Sequence, residues 1–66
     1  MYLCSLKEGE TRIINEVLNN NMMELGFIPG SEIKVVSKSP FNGPLVVFIR
    51  GASYAIRVSE AMCVSI

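Results

Sequence analysis

The stretch Glu24-Leu25-Gly26-Phe27-Ile28-Pro29-Gly30-Ser31-Glu32-Ile33-Lys34-Val35-Val36 forces the chain to change structure twice, and it constrains the fold more than any other segment. Met22, Met23, Glu24 and Leu25 are good helix formers, whereas Gly26 tolerates the left-handed φ of a helix stop without a Cβ clash. A helix is therefore expected to end at Leu25. Pro29-Gly30 fits the central pair of a type II turn, with proline setting its φ and glycine supplying the positive φ that follows. A strand then runs from Glu32 to Ser39, with Ile33 and Val35 opposed to Glu32 and Lys34, and stops at Pro40, which has no N–H to donate.

The other segments can be placed from this one. Tyr2 to Leu6 is a short apolar opening, followed by a polar turn at Lys7-Glu8-Gly9-Glu10. Thr11 to Leu18 reads as the first full strand, although Ile13-Ile14 breaks alternation and predicts a bulge or burial on both faces. Asn19-Asn20-Asn21 ends it and offers helix N-caps, or else forms a solvated loop. Pro40-Phe41-Asn42-Gly43-Pro44 predicts a stiff loop with a tight bend, its aromatic plugging an open barrel end or serving as an exposed anchor.

Leu45-Val46-Val47-Phe48-Ile49 is uninterrupted apolar sequence, the signature of a strand covered on both sides. A chain of 66 residues has little second layer for that purpose, so one set, Val46 with Phe48 or Leu45 with Val47 and Ile49, should face a helix, another subunit or a partner. Arg50 to Ser53 is expected to be the hairpin turn and Tyr54 to Val58 the next strand. Ser59 should cap a turn through Glu60-Ala61, and Met62, Val64 and Ile66 alternate in a last strand. Five short strands and one short helix suggest a mainly β domain over residues 1–66, a small antiparallel barrel of SH3-like or other topology.

Function classes narrow quickly. Six Lys plus Arg balance six Glu, Asp and His are absent, and the cations are scattered from Lys7 to Arg57, so no basic stripe argues for nucleic acid. No apolar run approaches the roughly 20 residues of a membrane span, and Met1 to Leu6 lacks the basic and long apolar regions of a signal peptide. A cytoplasmic protein is expected. Cys4 and Cys63 then read as two free, partly buried thiols; terminal strands that pair could bring them together, but no second ligand pair at metal spacing accompanies them.

Catalytic signals are missing too. The chain carries no phosphate-binding glycine loop and no nucleophile beside a base. Glu8 and Glu10 would share a strand face if extended, yet a turn is their expected setting. Arg50 and Arg57 could clamp an anion only if the hairpin aligned them. No enzyme, cofactor or metal site is expected. Half of the residues are hydrophobic, which for so small a domain predicts either a well-filled core or an apolar contact patch left on the surface.

Residues 23 to 36 also resemble the Leu-Gly-(apolar)-x-Pro-Gly segment of the FeoA family, small cytoplasmic proteins of bacterial ferrous iron uptake. Leu6-Lys7-Glu8-Gly9-Glu10 is similar to that family's opening turn and Pro40-Phe41-Asn42-Gly43-Pro44-Leu45 to its central loop. Arg50-Gly51, Ala55-Ile56-Arg57 and Glu60-Ala61 are similar to its C-terminal hairpin and closing turn. The family has a longer connection before the helix and a basic residue shortly before Leu-Gly, where this chain has Met22 and Met23. One methionine should fill the core and the other point outward.

The resemblance implies an SH3-like barrel. It also implies an accessory role in which the protein docks on the cytoplasmic, GTPase-bearing part of the FeoB permease. The expected contact lies among Met22, Met23, Phe41, Phe48 and Tyr54, while Leu25, Gly26, Pro29, Gly30, Gly43 and Gly51 build the scaffold. A second reading takes the same fold as the C-terminal domain of an iron- or manganese-dependent repressor, although a chain opening at its own methionine leaves no room for a recognition helix. Direct metal binding is a third. An exposed strand edge could serve homo-oligomerisation or a partner.

Overall fold

The computed structural model describes residues 1–66. A 3₁₀ turn, Leu3–Ser5, opens the chain and sinks Leu3 and, just after it, Leu6. Strands β1 (Thr11–Ile13), β3 (Glu32–Lys38), β4 (Leu45–Ile49) and β5 (Ala52–Ile56) form one antiparallel sheet in the order β1-β3-β4-β5. A second ribbon pairs β2 (Glu16–Val17) with β6 (Val64–Ser65), and Tyr2 bridges to Ser65 beside it. Helix α1 (Asn20–Leu25) joins β2 to the β3 arm, and the single-turn α2 (Val58–Ala61) joins β5 to β6. The two sheets do not close into one hydrogen-bonded cylinder, but the architecture is of the SH3-like class.

The organising stretch folds as its residues require. The Asn19 carboxamide oxygen accepts from the N–H groups of Asn21 and Met22, capping α1. Gly26 ends the helix at φ 113°, its N–H returned to the last turn. Ser31 N–H donates to Ile28 O at 3.0 Å across Pro29-Gly30, and Gly30 has φ 92°, as a type II turn demands. Met22 is buried and Met23 half exposed, one inward and one outward.

Three expectations need correction. The strand foreseen over Thr11–Leu18 is two strands: the chain breaks at Ile14-Asn15, because Ile14 turns into the core while its N–H and C=O bond Ser31 and Gly30. This adds a sixth strand. The β4–β5 turn is only Arg50-Gly51, both at positive φ, so β5 starts at Ala52 instead of Tyr54 and ends at Ile56. Ser59 is not a cap: α2 begins at Val58, two residues earlier than expected, with Arg57 at the cap position, and the Glu60 carboxylate accepts the Arg57 N–H at 2.8 Å.

Fourteen buried apolar residues form one core. Ile33, Val35, Leu45, Val47, Ile49 and Ile56 come from the inner face of the four-stranded sheet. Leu3, Leu6, Ile14, Val17, Met22, Phe27, Ala61 and Val64 close over them. Phe27, fully buried just past the helix stop, stacks at a tilt on Tyr54 with ring centroids 5.4 Å apart. The closing layer covers only one side of the sheet, so the outer face keeps whatever β4 places there.

Candidate functional site

Strand β4 alternates strictly: Leu45, Val47 and Ile49 are buried, while Val46 and Phe48 lie on the outer face, Phe48 45% exposed. Register then builds a cross-strand row of Thr11, Lys34, Phe48 and Ser53, one residue from each strand. Ile13 opposite Glu32 flanks the row, and Val36 is displaced by a register shift between Val35 and Ser37. Thr11, Ser31, Glu32, Lys34, Phe48 and Arg50 line a shallow, open concavity of about 510 Å³. Its chemistry is one aromatic face among two cations and one carboxylate, suited to contact with a protein surface rather than to bond making.

The five residues foreseen as a contact set do not share one surface. Met22 is in the core at 2% exposure and has no surface to offer, because it lies on the buried side of α1. Met23 is on the opposite, exposed side of that helix. Tyr54 is half buried on the inner side of β5 and its hydroxyl donates to Leu25 O at 3.0 Å, tying β5 to the end of α1. Phe48 belongs to the sheet face. Phe41 is not a barrel plug: it stands 99% exposed at the tip of the β3–β4 loop.

The scaffold residues have identifiable tasks. A Cβ on Gly43 would lie 2.7 Å from Ser39 Cβ and 3.2 Å from Pro40 O, so only glycine fits there. Gly51, at φ 84°, completes the two-residue β4–β5 turn. The carboxylates of the opening turn act as fasteners. Glu8 accepts the Lys38 N–H at 2.8 Å, and Glu10 accepts the Lys7 N–H at 2.7 Å while its other oxygen meets Arg12 at 3.1 Å. The Lys7 N–H, with help from Arg12, holds the Glu10 carboxyl below its ordinary range.

Arg50 and Arg57 stand at opposite ends of β5 and cannot clamp one anion. Cys4 and Cys63 are free, half-buried thiols, that of Cys63 donating weakly to Ser59 O at 3.6 Å. No three Cys or Glu side chains converge on a point, and no helix is long and apolar enough to cross a membrane. Sequence reading missed Thr11, Ile13, Lys34 and Val36 on the outer face. The Val35-Val36 doublet, which breaks alternation, was the available signal for the last of these.

A family model described as the FeoA domain matches residues 1–66. The crystal structure of Stenotrophomonas maltophilia FeoA complexed with zinc, described as an SH3 domain protein and a candidate activating factor of ferrous iron transport, is 31% identical to this chain. It superposes with a TM-score of 0.87, over 98% of this chain and 87% of that one. The solution structure of FeoA from Chlorobium tepidum is 27% identical with a TM-score of 0.88, over 98% and 67% of the two chains. A manganese-dependent transcriptional repressor shares the fold, with a TM-score of 0.82 at 18% identity over 97% of this chain and 39% of the repressor. No curated protein matches the chain. With the family model spanning every residue and the architecture shared, the chain belongs to the FeoA family, which is linked to ferrous iron transport.

Proposed function

We propose that this protein is a non-enzymatic accessory of bacterial ferrous iron uptake that docks on the cytoplasmic part of a FeoB-type permease. The observation that carries the reading is Phe48, a large aromatic left 45% exposed at the centre of the four-stranded sheet, between Lys34 and Ser53. Aromatic side chains in that setting are the usual anchors of protein interfaces, and the surrounding Lys34, Arg50 and Glu32 supply a polar rim. Met23 and Phe41 are further exposed apolar groups available to a partner. Docking acts on transport by population shift: a conformation of the permease that binds this face better becomes more populated.

Titration calorimetry of the protein into the purified cytoplasmic domain of the permease from the same organism tests this. Saturable binding is expected, lost in Phe48→Glu with its circular dichroism spectrum unchanged. Absence of binding in every nucleotide state of the permease domain would reject the reading.

A further inference from the structure

The two edges of the four-stranded sheet are finished differently. The β1 edge offers only three residues, and there the Arg12 guanidinium folds back to donate to Thr11 O at 2.9 Å while pairing with Glu10. A short edge covered by its own charge resists further pairing. The β5 edge has no such device: its five residues, Ala52 to Ile56, contain no charge and no proline and pair with β4 without a bulge.

Register identifies the free groups of that edge. The two-residue Arg50-Gly51 turn makes Ile49 and Ala52 a hydrogen-bonded pair, and alternation then does the same for Val47 with Tyr54 and Leu45 with Ile56. Ser53 and Ala55 therefore point their N–H and C=O groups away from β4, and none of these four groups finds a backbone partner elsewhere in the chain. Both residues are small and exposed, so another backbone can approach to the ~4.8 Å spacing of a ladder. Two donors and two acceptors repeating at about 7 Å along a line match an extended peptide.

Charge narrows the occupant. Arg50 and Arg57 stand just beyond the two ends of β5, both exposed, and neither is paired with a carboxylate; the chain's one ion pair is Arg12 with Glu10 at 3.1 Å. A second copy of the chain fits badly. The antiparallel register that engages all four free groups has its two-fold axis at Tyr54, which sets Arg57 opposite Gly51 of the second copy and beside its Arg50, once at each end. We infer that the β5 edge takes, by strand addition, an extended peptide segment of another protein that carries acidic residues at both ends. This site is separate from the Phe48 face and does not depend on the permease reading.

The test titrates the ¹⁵N-labelled full chain with the peptide Glu-Glu-Val-Thr-Val-Thr-Val-Glu-Glu, and with the same core flanked by lysines, and follows the amide resonances by NMR. Saturable shifts at Ser53 and Ala55 are expected with the acidic peptide, and binding at least tenfold weaker with the lysine-flanked one. Ala55→Pro removes an N–H that serves no ladder bond, as an edge strand tolerates, and should weaken the acidic peptide at least tenfold. Arg50→Glu combined with Arg57→Glu, folded by circular dichroism, should reverse the preference between the two peptides, and this arm decides alone if Ala55→Pro does not fold. Unmoved Ser53 and Ala55 resonances at millimolar acidic peptide overturn the inference, as do shifts confined to Lys34 and Phe48 or equal binding of both peptides. Shifts at Ser53 and Ala55 that follow protein concentration without peptide overturn it in favour of a second copy.

Discussion

Strand β4 is flanked by two turns that both run through positive φ and meet opposite fates. At one end Arg50 and Gly51 take φ of 51° and 84°; at the other Phe41 and Asn42 take 57° and 59°. Each turn therefore holds a non-glycine, non-asparagine residue in the left-handed region. Arg50 recovers something for it: its side chain lies over Gly26, so close that a Cβ there would be 3.4 Å from Arg50 Cδ. The hairpin tip is thereby stitched to the helix stop. Phe41, 99% exposed, recovers nothing comparable, which teaches that one turn is tied into the fold and the other is not.

The strand between the turns is buried at both of its ends. Leu45, beside the loop, and Ile49, beside the hairpin turn, are each 1% exposed. Truncating either to alanine should cost about 2–5 kcal/mol, measured by urea unfolding. Similar values support a uniform core; a much smaller one for Leu45→Ala would mean that the loop end is loose and Phe41 exposed by default. Next in size are the glycines. Gly43→Ala must push Ser39 and Pro40 aside and should cost about 1–3 kcal/mol. Gly51→Ala meets nothing within 4 Å and carries only the φ penalty, about 1 kcal/mol. A reversed order would show that the β3–β4 loop is not rigid.

The two turns were also unequally legible. Arg50-Gly51 and Pro40-Phe41-Asn42-Gly43-Pro44 both announce turns, but a turn signal does not say where a side chain goes, so Phe41 read as a plug sooner than as an exposed group. Local chemistry fixed the helix stop at Gly26, the turn at Pro29-Gly30, the Asn19 cap and the Leu45–Ile49 strand, because each depends on neighbours in sequence. The split of Thr11–Leu18 depends on Ile14 bonding Gly30 and Ser31, partners sixteen and seventeen positions away. The outer face was half visible. Alternation limited β4 to two orientations, and only the closing layer, assembled from both ends of the chain, decided that Phe48 faces out.

Single substitutions can separate the two turn residues directly. Phe41→Asn relieves strain and gives up no packing, so chemical denaturation should show a gain of about 1 kcal/mol. Arg50→Asn relieves the same strain but removes the cover over Gly26, and the two effects should leave stability nearly unchanged. Equal gains in both variants would erase the distinction between a turn tied into the fold and one that is not.

The smallest effect comes from a third turn and separates the edges of the sheet by pH. Gly9 N–H donates to Val35 O and Val35 N–H to Glu10 O, so the Lys7–Glu10 turn is clasped to β3 on the side where β1 pairs, away from the β4–β5 hairpin. Glu10 titrates below its ordinary value near 4.5, chiefly because its carboxylate accepts the Lys7 N–H and secondarily because of Arg12. A carboxyl whose folded value lies below its unfolded one stabilises fully above the unfolded value, and that stabilisation fades as pH falls through the folded value. Amide protection factors, corrected for the intrinsic rate at each pH, should therefore fall around Gly9, Glu10 and Val35 below about pH 4.5 before that of Tyr54 in the hairpin, and Glu10→Gln should flatten the difference. A uniform fall in both regions would mean that acid acts on the core as a whole. The order expected here instead makes the opening turn, like Arg50 and unlike Phe41, a contact spent on holding the sheet.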